Sequence, residues 1–537
     1  MSTAATADAS RLAAEPKYPA NRWLIAAVVG MAAFMEVLDI SIANVSLSHI
    51  AGSLSASQDE ATWVLTSYLV SNAIVLPISG WFSQVLGRKR FFIISIVLFS
   101  VASLACGLAP SLSWLIVFRV LQGIGGGGLQ PVSQAILADS FPPAQRGMAF
   151  AIYGVAVVFA PAIGPTLGGY ITDHASWHWI FLLNVPVGIV LLMLAVPLVK
   201  DTAAYEAARK AKMADGFTID YIGFALLALG LGCLQIMLDK GQQNDWFDSS
   251  FIIAMTVIAV ACLSTLVLWE LFHRHPIMDF RMFKYFNFAV ANVLMFMLGF
   301  VLLGSTLLIP QFVQSVLGYT STLAGLVISP GGVAIVIMMP IVGFLSGRIE
   351  ARWMVAFGLV TVGLSMFHIA GFNANVTFDQ LVAARIFQTL GIAFLFIPLT
   401  NIAYIGVPAD KTDQISAFVN LARNIGGSVG ISLVTTWLAR RAQYHQSVLV
   451  EHVTPYDPQY TSLLESLTRH FAEMGAGLDA ARSQAVAAIA RMVGEQAQLM
   501  AYLDDFWLLG VIFIALTPVV LLLGSTRNVD APEGAGH

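Results

Sequence analysis

Arg119-Val-Leu-Gln122-Gly-Ile-Gly125 sets a cation and an amide inside an apolar run, and the same arrangement returns 266 residues later as Arg385-Ile-Phe-Gln388-Thr-Leu-Gly391. The register persists at that offset, Pro142 mapping to Pro408 and Gly164 to Gly430. A looser echo relates Gly80-Trp-Phe-Ser83 to Gly343-Phe-Leu-Ser346. Chance likeness between glycine-rich helices does not readily return Arg and Gln together. A chain built of two similar halves is therefore implied, and paired bundles with a site at their interface are the architecture of rocking secondary transporters.

The chain around this repeat has 537 residues, 58% of them apolar and 11% charged, with a mean hydropathy of +0.78. Soluble domains are about 25% charged, so a soluble enzyme is excluded, as is a disordered chain. A net charge of −4 leaves no basic footprint for nucleic acid. Cys106, Cys233 and Cys262 lie in apolar runs without metal-ligand or disulfide spacing. No cofactor or metal is expected.

A bilayer core of about 30 Å needs roughly 20 apolar residues as helix. Fourteen such runs occur between 23 and 524, including 113–138, 148–172, 379–405, 414–437 and 506–524. With both termini on one side, the segments on that side hold 18 of the 27 Lys and Arg, against six on the other and three within spans. Cytoplasmic loops retain positive charge, so both termini are assigned to the cytoplasm. The expected organisation is an all-α polytopic membrane protein: a cytoplasmic tail (1–22), a six-helix bundle (23–199), a cytoplasmic linker (200–217), an inserted helical hairpin (218–271), a second six-helix bundle (288–524) with a long outer loop at 438–505, and a cytoplasmic tail (525–537).

Several motifs carry a resemblance. They are Leu38-Asp39-Ile-Ser-Ile-Ala-Asn44 in span 1, Gly80-Trp-Phe-Ser-Gln-Val-Leu-Gly87-Arg88-Lys89-Arg90 after span 2, and Arg119 to Gly128 in span 4. Gly164-Pro165-Thr-Leu-Gly168-Gly169 in span 5 and Trp177-His-Trp179 to Asn184-Val-Pro186 entering span 6 complete the set. With these the chain resembles the major facilitator superfamily, specifically its fourteen-span drug/proton antiporters of the EmrB type. The resemblance implies a major facilitator fold, export of amphipathic compounds driven by protons, a bacterial inner-membrane location, and cooperation with a periplasmic adaptor and an outer-membrane channel. It also makes the loop at Gly80, Gly87 and Arg88 a conformational latch, although Gln84 stands where an acidic residue is usual and puts a charge pair within that loop in doubt.

The residues also have readings of their own. Gly123, Gly125 and Gly128 match a dinucleotide-binding pattern but follow no strand, so close helix packing is the better reading. Ala156, Ala160, Gly164 and Gly168 recur every fourth residue, a face on which a neighbouring helix can approach closely, while Pro165 removes a backbone hydrogen bond. This face serves either packing alone or gating.

Ionisable groups within spans are costly and mark pathways for ions or substrates. Glu36 and Asp39 share one face of span 1, and Asp39 and Arg119 both fall roughly 10 Å below the outer surface by helix rise. The pair reads either as a static ion bridge or, as expected here, as a proton exchanger in which the carboxylate alternately meets and leaves the guanidinium. Glu36 reads as a second proton carrier, a counter-charge for cationic drugs or a solvated cavity residue. Asn420, Arg423 and Asn424 form a polar stripe in span 13, expected to face a substrate cavity with Asn44, Tyr68, Gln122, Gln130, Gln134, Arg385, Gln388 and Asn401, although Tyr68, Gln130, Gln134 and Asn401 read equally as helix–helix hydrogen bonds. Span 9 holds no carboxylate to match Asp39, which points proton handling at the first half and leaves Arg385 to anion binding or packing.

Residues 438–505 contain helical stretches such as 479–500 and lack any HExxH or GxSxG pattern. They are expected to dock an adaptor or to remain a solvated loop. Together the residues and the resemblance lead to a proton-coupled multidrug efflux antiporter working by alternating access without ATP, since no GxxxxGK[ST] phosphate loop occurs. The second reading is a dedicated exporter of a fatty acid or siderophore, and a more distant one is an intramembrane enzyme or receptor.

Overall fold

The computed structural model describes residues 21–201, 205–207, 209–210, 220–273, 276–408 and 411–521. Both terminal tails, apart from residues 21 and 22, and most of the 200–217 linker lie outside the described residues. Every regular element among the described residues is helical. Apolar runs without strand-like alternation satisfy their backbone internally, which lipid demands.

The first half comprises α1 (Arg22–Val45), α2 (Trp63–Leu86), α3 (Arg88–Gly107), α4 (Leu112–Gly126), α5 (Leu129–Ser140), α6 (Pro143–His174) and α7 (Asn184–Leu198). The hairpin is α8 (Tyr221–Lys240) and α9 (Ser250–Phe272). The second half holds α10 (Phe286–Ser315), α11 (Ser321–Leu345), α12 (Ala351–Ala370), α13 (Phe378–Ala403), α14 (Thr412–Val450), α15 (Pro458–Glu473) and α16 (Leu478–Leu521). Among the described residues, thirteen stretches are long and apolar enough to cross a membrane, counting α4 with α5 and the short helix His178–Leu182 with α7. The fourteenth long helix, α14, falls outside that set: its membrane-level stretch carries the polar residues Asn420, Arg423 and Asn424.

The two halves meet chiefly along two helix pairs, α6 on α11 and α2 on α14, with lesser contacts of α5 on α14 and α6 on α13. The repeat relates α2 to α11 and α6 to α14, so each contact is the image of the other. Where α2 ends, a side chain added at Gly80 would press on the Asp413 backbone at 3.3 Å. Where α11 ends, a side chain added at Gly343 would come within 3.0 Å of the Gly147 carbonyl, and residues 147 and 413 are again 266 apart. Both closures lie at the end of the molecule that carries Arg88. Helix α8 wedges against α2 and α14, one from each lobe, and α9 packs outside it.

The chain beyond residue 437, expected as a long outer segment with helical stretches such as 479–500, is helical over most of its length. Helix α14 runs unbroken for 39 residues and α16 for 44, roughly 58 and 66 Å of helix against the 30 Å of a hydrocarbon core. Helix α15 caps them, packing on α16, and Asp504 on α16 accepts from Arg441 Nε at 2.5 Å and pairs with His445 Nε2 at 2.7 Å, both on α14. Residues past the lipid need not be apolar to continue a helix, and no Gly or Pro interrupts 438–450.

Candidate functional site: a polar core spanning both lobes

Asp39 and Arg119 meet. The Arg119 Nη1 donates to Asp39 Oδ2 at 2.5 Å, with the residues 0% and 2% exposed. Gln122 Nε2 and Asn184 Nδ2 both donate to Asp39 Oδ1, at 2.8 and 2.6 Å, and Ser103 accepts from each while donating to the Phe181 carbonyl. Arg119 also donates from Nε to the Val64 carbonyl at 3.0 Å and from Nη1 to Gln122 Oε1 at 2.8 Å, and lies over the Tyr68 ring at 4.2 Å. A buried ion pair survives desolvation only when further hydrogen bonds satisfy its remaining atoms. Here α2, α4 and α7 supply them to Asp39 and to Nε and Nη1 of Arg119, while Arg119 Nη2 has no partner among the described residues.

One turn towards the Arg88 end, Glu36 is 1% exposed. Its Oε1 accepts from Asn72 Nδ2 at 3.0 Å and Tyr68 hydroxyl at 3.4 Å, and its Oε2 from Gln130 Nε2. Tyr68 thus touches both carboxylate clusters, its ring under Arg119 and its hydroxyl on Glu36. Gln130 Oε1 in turn accepts from the Tyr153 hydroxyl and from Arg423 Nη2 of the other lobe. Arg423 also donates to Asn420 Oδ1 at 2.8 Å, Asn420 Nδ2 donates to Gln134 Oε1 at 2.8 Å, and Asn424 Nδ2 reaches Asn72 Oδ1 at 3.3 Å. A continuous polar path therefore runs from Glu36 across the lobe boundary.

Not every candidate joins it. Arg385 and Gln388 bond each other inside α13, and Arg385 packs under Gly331 of α11. Helix α10 offers Arg385 no carboxylate, Ser305 lying buried there instead. Asn401 is half-buried near Gly147 at the Arg88 end. Asn44 is exposed: five residues past Asp39 on a helix of 3.6 per turn, it is rotated well away from the inward face. Conversely, Asn72, Ser103, Tyr153 and Asn184 enter the network without having been singled out as site residues.

The glycine face of α6 packs on α1 just beyond Asp39, with Gly164 against Ser41 and Gly168 so close that an added side chain would lie 3.2 Å from the Ile42 backbone. Pro165 has no N–H for the Pro161 carbonyl four residues back, and the Ser41 hydroxyl donates to that oxygen at 3.4 Å. Gly169 faces open space. In span 4, a side chain at Gly123, Gly125 or Gly127 would strike α2 or α3 backbone, so the glycine run is a packing surface.

At the Arg88 end, Gly87 turns the chain with φ +89°, a left-handed conformation suited to glycine, and presents Arg88 at the head of α3. Its guanidinium bonds Asp139 at the end of α5 and Asp413 at the start of α14, with the Tyr205 ring 4.1 Å away. The acidic partners missing from Gln84 come from two distant segments.

Two lobes related by a repeat, each a bundle of membrane-crossing helices, with a buried polar path between them, define a multi-pass membrane transporter. The chain belongs to the major facilitator superfamily, whose model matches residues 29–431. It is 36% identical over 523 residues to "Multidrug export protein EmrB" of Escherichia coli K12, covering 97% of this chain and 98% of that one. "Fatty acid resistance protein FarB" of Neisseria gonorrhoeae is 34% identical over 511 residues, 95% and 97% of the two chains. Among solved structures, the proton:xylose symporter XylE shares the fold with a TM-score of 0.58 at 13% identity, covering 93% of this chain and 95% of its own.

Proposed function

We propose that this chain is a proton-coupled exporter of amphipathic compounds, working by alternating access in a bacterial inner membrane with both termini in the cytoplasm. The observation that carries the reading is Asp39 held against Arg119, sealed from water, with Tyr68 linking that pair to Glu36 and Glu36 linked through Gln130 to Arg423 of the opposite lobe. A proton arriving on Asp39 removes the charge that Arg119, Gln122 and Asn184 are arranged around, so protonation loosens the contacts holding α1 to α4 and α7. Glu36 then couples the state of that cluster to the lobe interface. A membrane potential of 100 mV supplies about 2.3 kcal/mol per charge, enough for a roughly 50-fold gradient per proton.

The likeness to multidrug export proteins supports amphipathic drugs as substrates. Likeness to the fatty acid resistance protein favours a second reading, export of fatty acids, which a substrate panel in vesicles separates from the first. The long helices α14 and α16 offer a surface for a periplasmic adaptor that would pass substrate to an outer-membrane channel. Asp39→Asn in proteoliposomes tests the coupling: gradient-driven efflux is expected to vanish while substrate binding persists. Active transport at the wild-type rate would overturn it.

A further inference from the structure

The inserted hairpin closes one side of a cavity of about 290 Å³ whose other walls are α10, α14 and the segment leading into α10. Leu231 of α8, Leu266 of α9, Met278, Phe296 and Phe418 give it an apolar lining, and Asn292 is the single polar side chain among the lining residues. Its volume is about twice the 150 Å³ at which an apolar protein cavity takes up benzene. Phe418 sits among aromatic edges, with Phe280, Phe283 and Phe288 centred 5.5–5.6 Å away and nearly perpendicular, a geometry that also suits an incoming ring.

We propose that this cavity is a binding site for a lipophilic small molecule bearing one hydrogen-bond donor, an aromatic or alkyl alcohol or amine in class, that enters from the lipid. Asn292 is 4% exposed. Its Nδ2 donates to the Phe288 carbonyl at 2.8 Å, and its Oδ1 has no partner among the described residues. Buried acceptors are rarely left unmade, because the desolvation penalty is then uncompensated. A phospholipid tail would fill the space and leave Oδ1 as it is; a hydroxyl or amine on an apolar body answers both features. Access is from the hydrocarbon, since Val267 and Phe283 on the lining are 38% and 41% exposed and α9 is the least buried of the membrane-length helices.

The site lies on the reverse of α14 from the lobe interface: Phe418, Leu421 and Ile425 face the cavity while Asn420 and Asn424 face α5 and α2. Its occupancy does not depend on the coupling proposed for Asp39, and the test keeps the two apart. Full-length protein in lipid nanodiscs is photolabelled with a diazirine-bearing octanol and, separately, a diazirine-bearing octane, and adducts are mapped by mass spectrometry. Saturable labelling at Met278 and Phe283 is expected, with the alcohol preferred about two- to tenfold, the range of one net hydrogen bond.

Asn292→Leu should abolish the preference, Leu266→Trp should abolish labelling by both probes, and Asp39→Asn should change neither. The proposal is overturned if labelling rises without saturation to the level seen at the lipid-exposed Val257 and Val260, or if the wild type treats the two probes alike. Comparison of probes on the unaltered protein decides the question even if a variant does not fold.

Discussion

Arg88 reaches across the lobe boundary to Asp413, Nε to Oδ1 at 2.5 Å, 325 residues apart in sequence and both nearly sealed from solvent. On the same guanidinium, Asp139 keeps the bond anchored to the first lobe. The repeat-related contact, Gly343 on Gly147, is a close backbone approach. The closure at Gly80 has an ion pair latched across it. Removing one member of a buried ion pair costs about 3–5 kcal/mol because its partner is left charged and dry. Arg88→Ala is expected to shift the population towards separation of the lobes at this end, read as an increased distance between spin labels on α2 and α14. Asp413→Asn should produce a smaller shift in the same direction, since the asparagine side-chain oxygen can still accept from Arg88 Nε without the charge. An unchanged distance distribution in Arg88→Ala would show that packing alone closes this end.

Close approach is tested separately on α6. Gly164 lies against Ser41 and Gly168 against the Ile42 backbone, immediately past the proton-handling position proposed at Asp39. A leucine at either position must push α6 off α1, an overpacking cost of typically 1–3 kcal/mol. Gly164→Leu is expected to lose efflux at least tenfold in vesicles while reaching the membrane. Gly169→Leu, facing open space, should transport normally. Equal loss in both variants would mean the motif acts through something other than helix contact.

How far these features were readable in the chain depends on their range. The 266-residue repeat and the ionisable groups within apolar runs mark two lobes and bring Asp39 and Arg119 to the same depth, because a charge in lipid has few affordable explanations. Asn184, Ser103 and Asn72 gave no such signal. They are small polar residues on α7, α3 and α2, of a kind that occurs throughout membrane helices, and only tertiary packing turns three of them towards the two carboxylates. The partners of Arg88 were hidden for the same reason, lying 51 and 325 residues away. Hydropathy ended spans 13 and 14 at the lipid boundary although α14 and α16 continue, since helix propensity, and not apolarity, governs the chain in water.

No basic side chain touches the Glu36 carboxyl group among the described residues; Gln130, Asn72 and Tyr68 hold it. Arg423 reaches it only through Gln130. If Glu36 serves as counter-charge to cationic drugs, Glu36→Gln should raise KM for monovalent cations at least tenfold and leave neutral substrates within about twofold. If it carries a proton, both classes should lose dependence on the pH gradient together. Efflux of a cationic and a neutral dye, each measured with and without an imposed gradient, separates the outcomes. Indifference of both dyes would remove Glu36 from the mechanism.

The paired extensions of α14 and α16 make a final, separable expectation. They are tied by Arg441 and His445 on Asp504 and capped by α15, a helix with no buried residue of its own. Such an element contributes little to the membrane bundle, so its surface is free for another protein. Replacing 452–477 with a short glycine-serine turn should leave the long helices joined and preserve transport in proteoliposomes, where no second membrane exists. In cells the same variant should lose drug resistance and crosslinking to a periplasmic adaptor, if that surface is the docking site. Arg441→Ala should weaken crosslinking only partly, because His445 still holds Asp504. Retained crosslinking after the replacement would place the contact on the shafts of α14 and α16 and not on their cap, and retained crosslinking after removal of 445–500 would end the idea of docking on this projection.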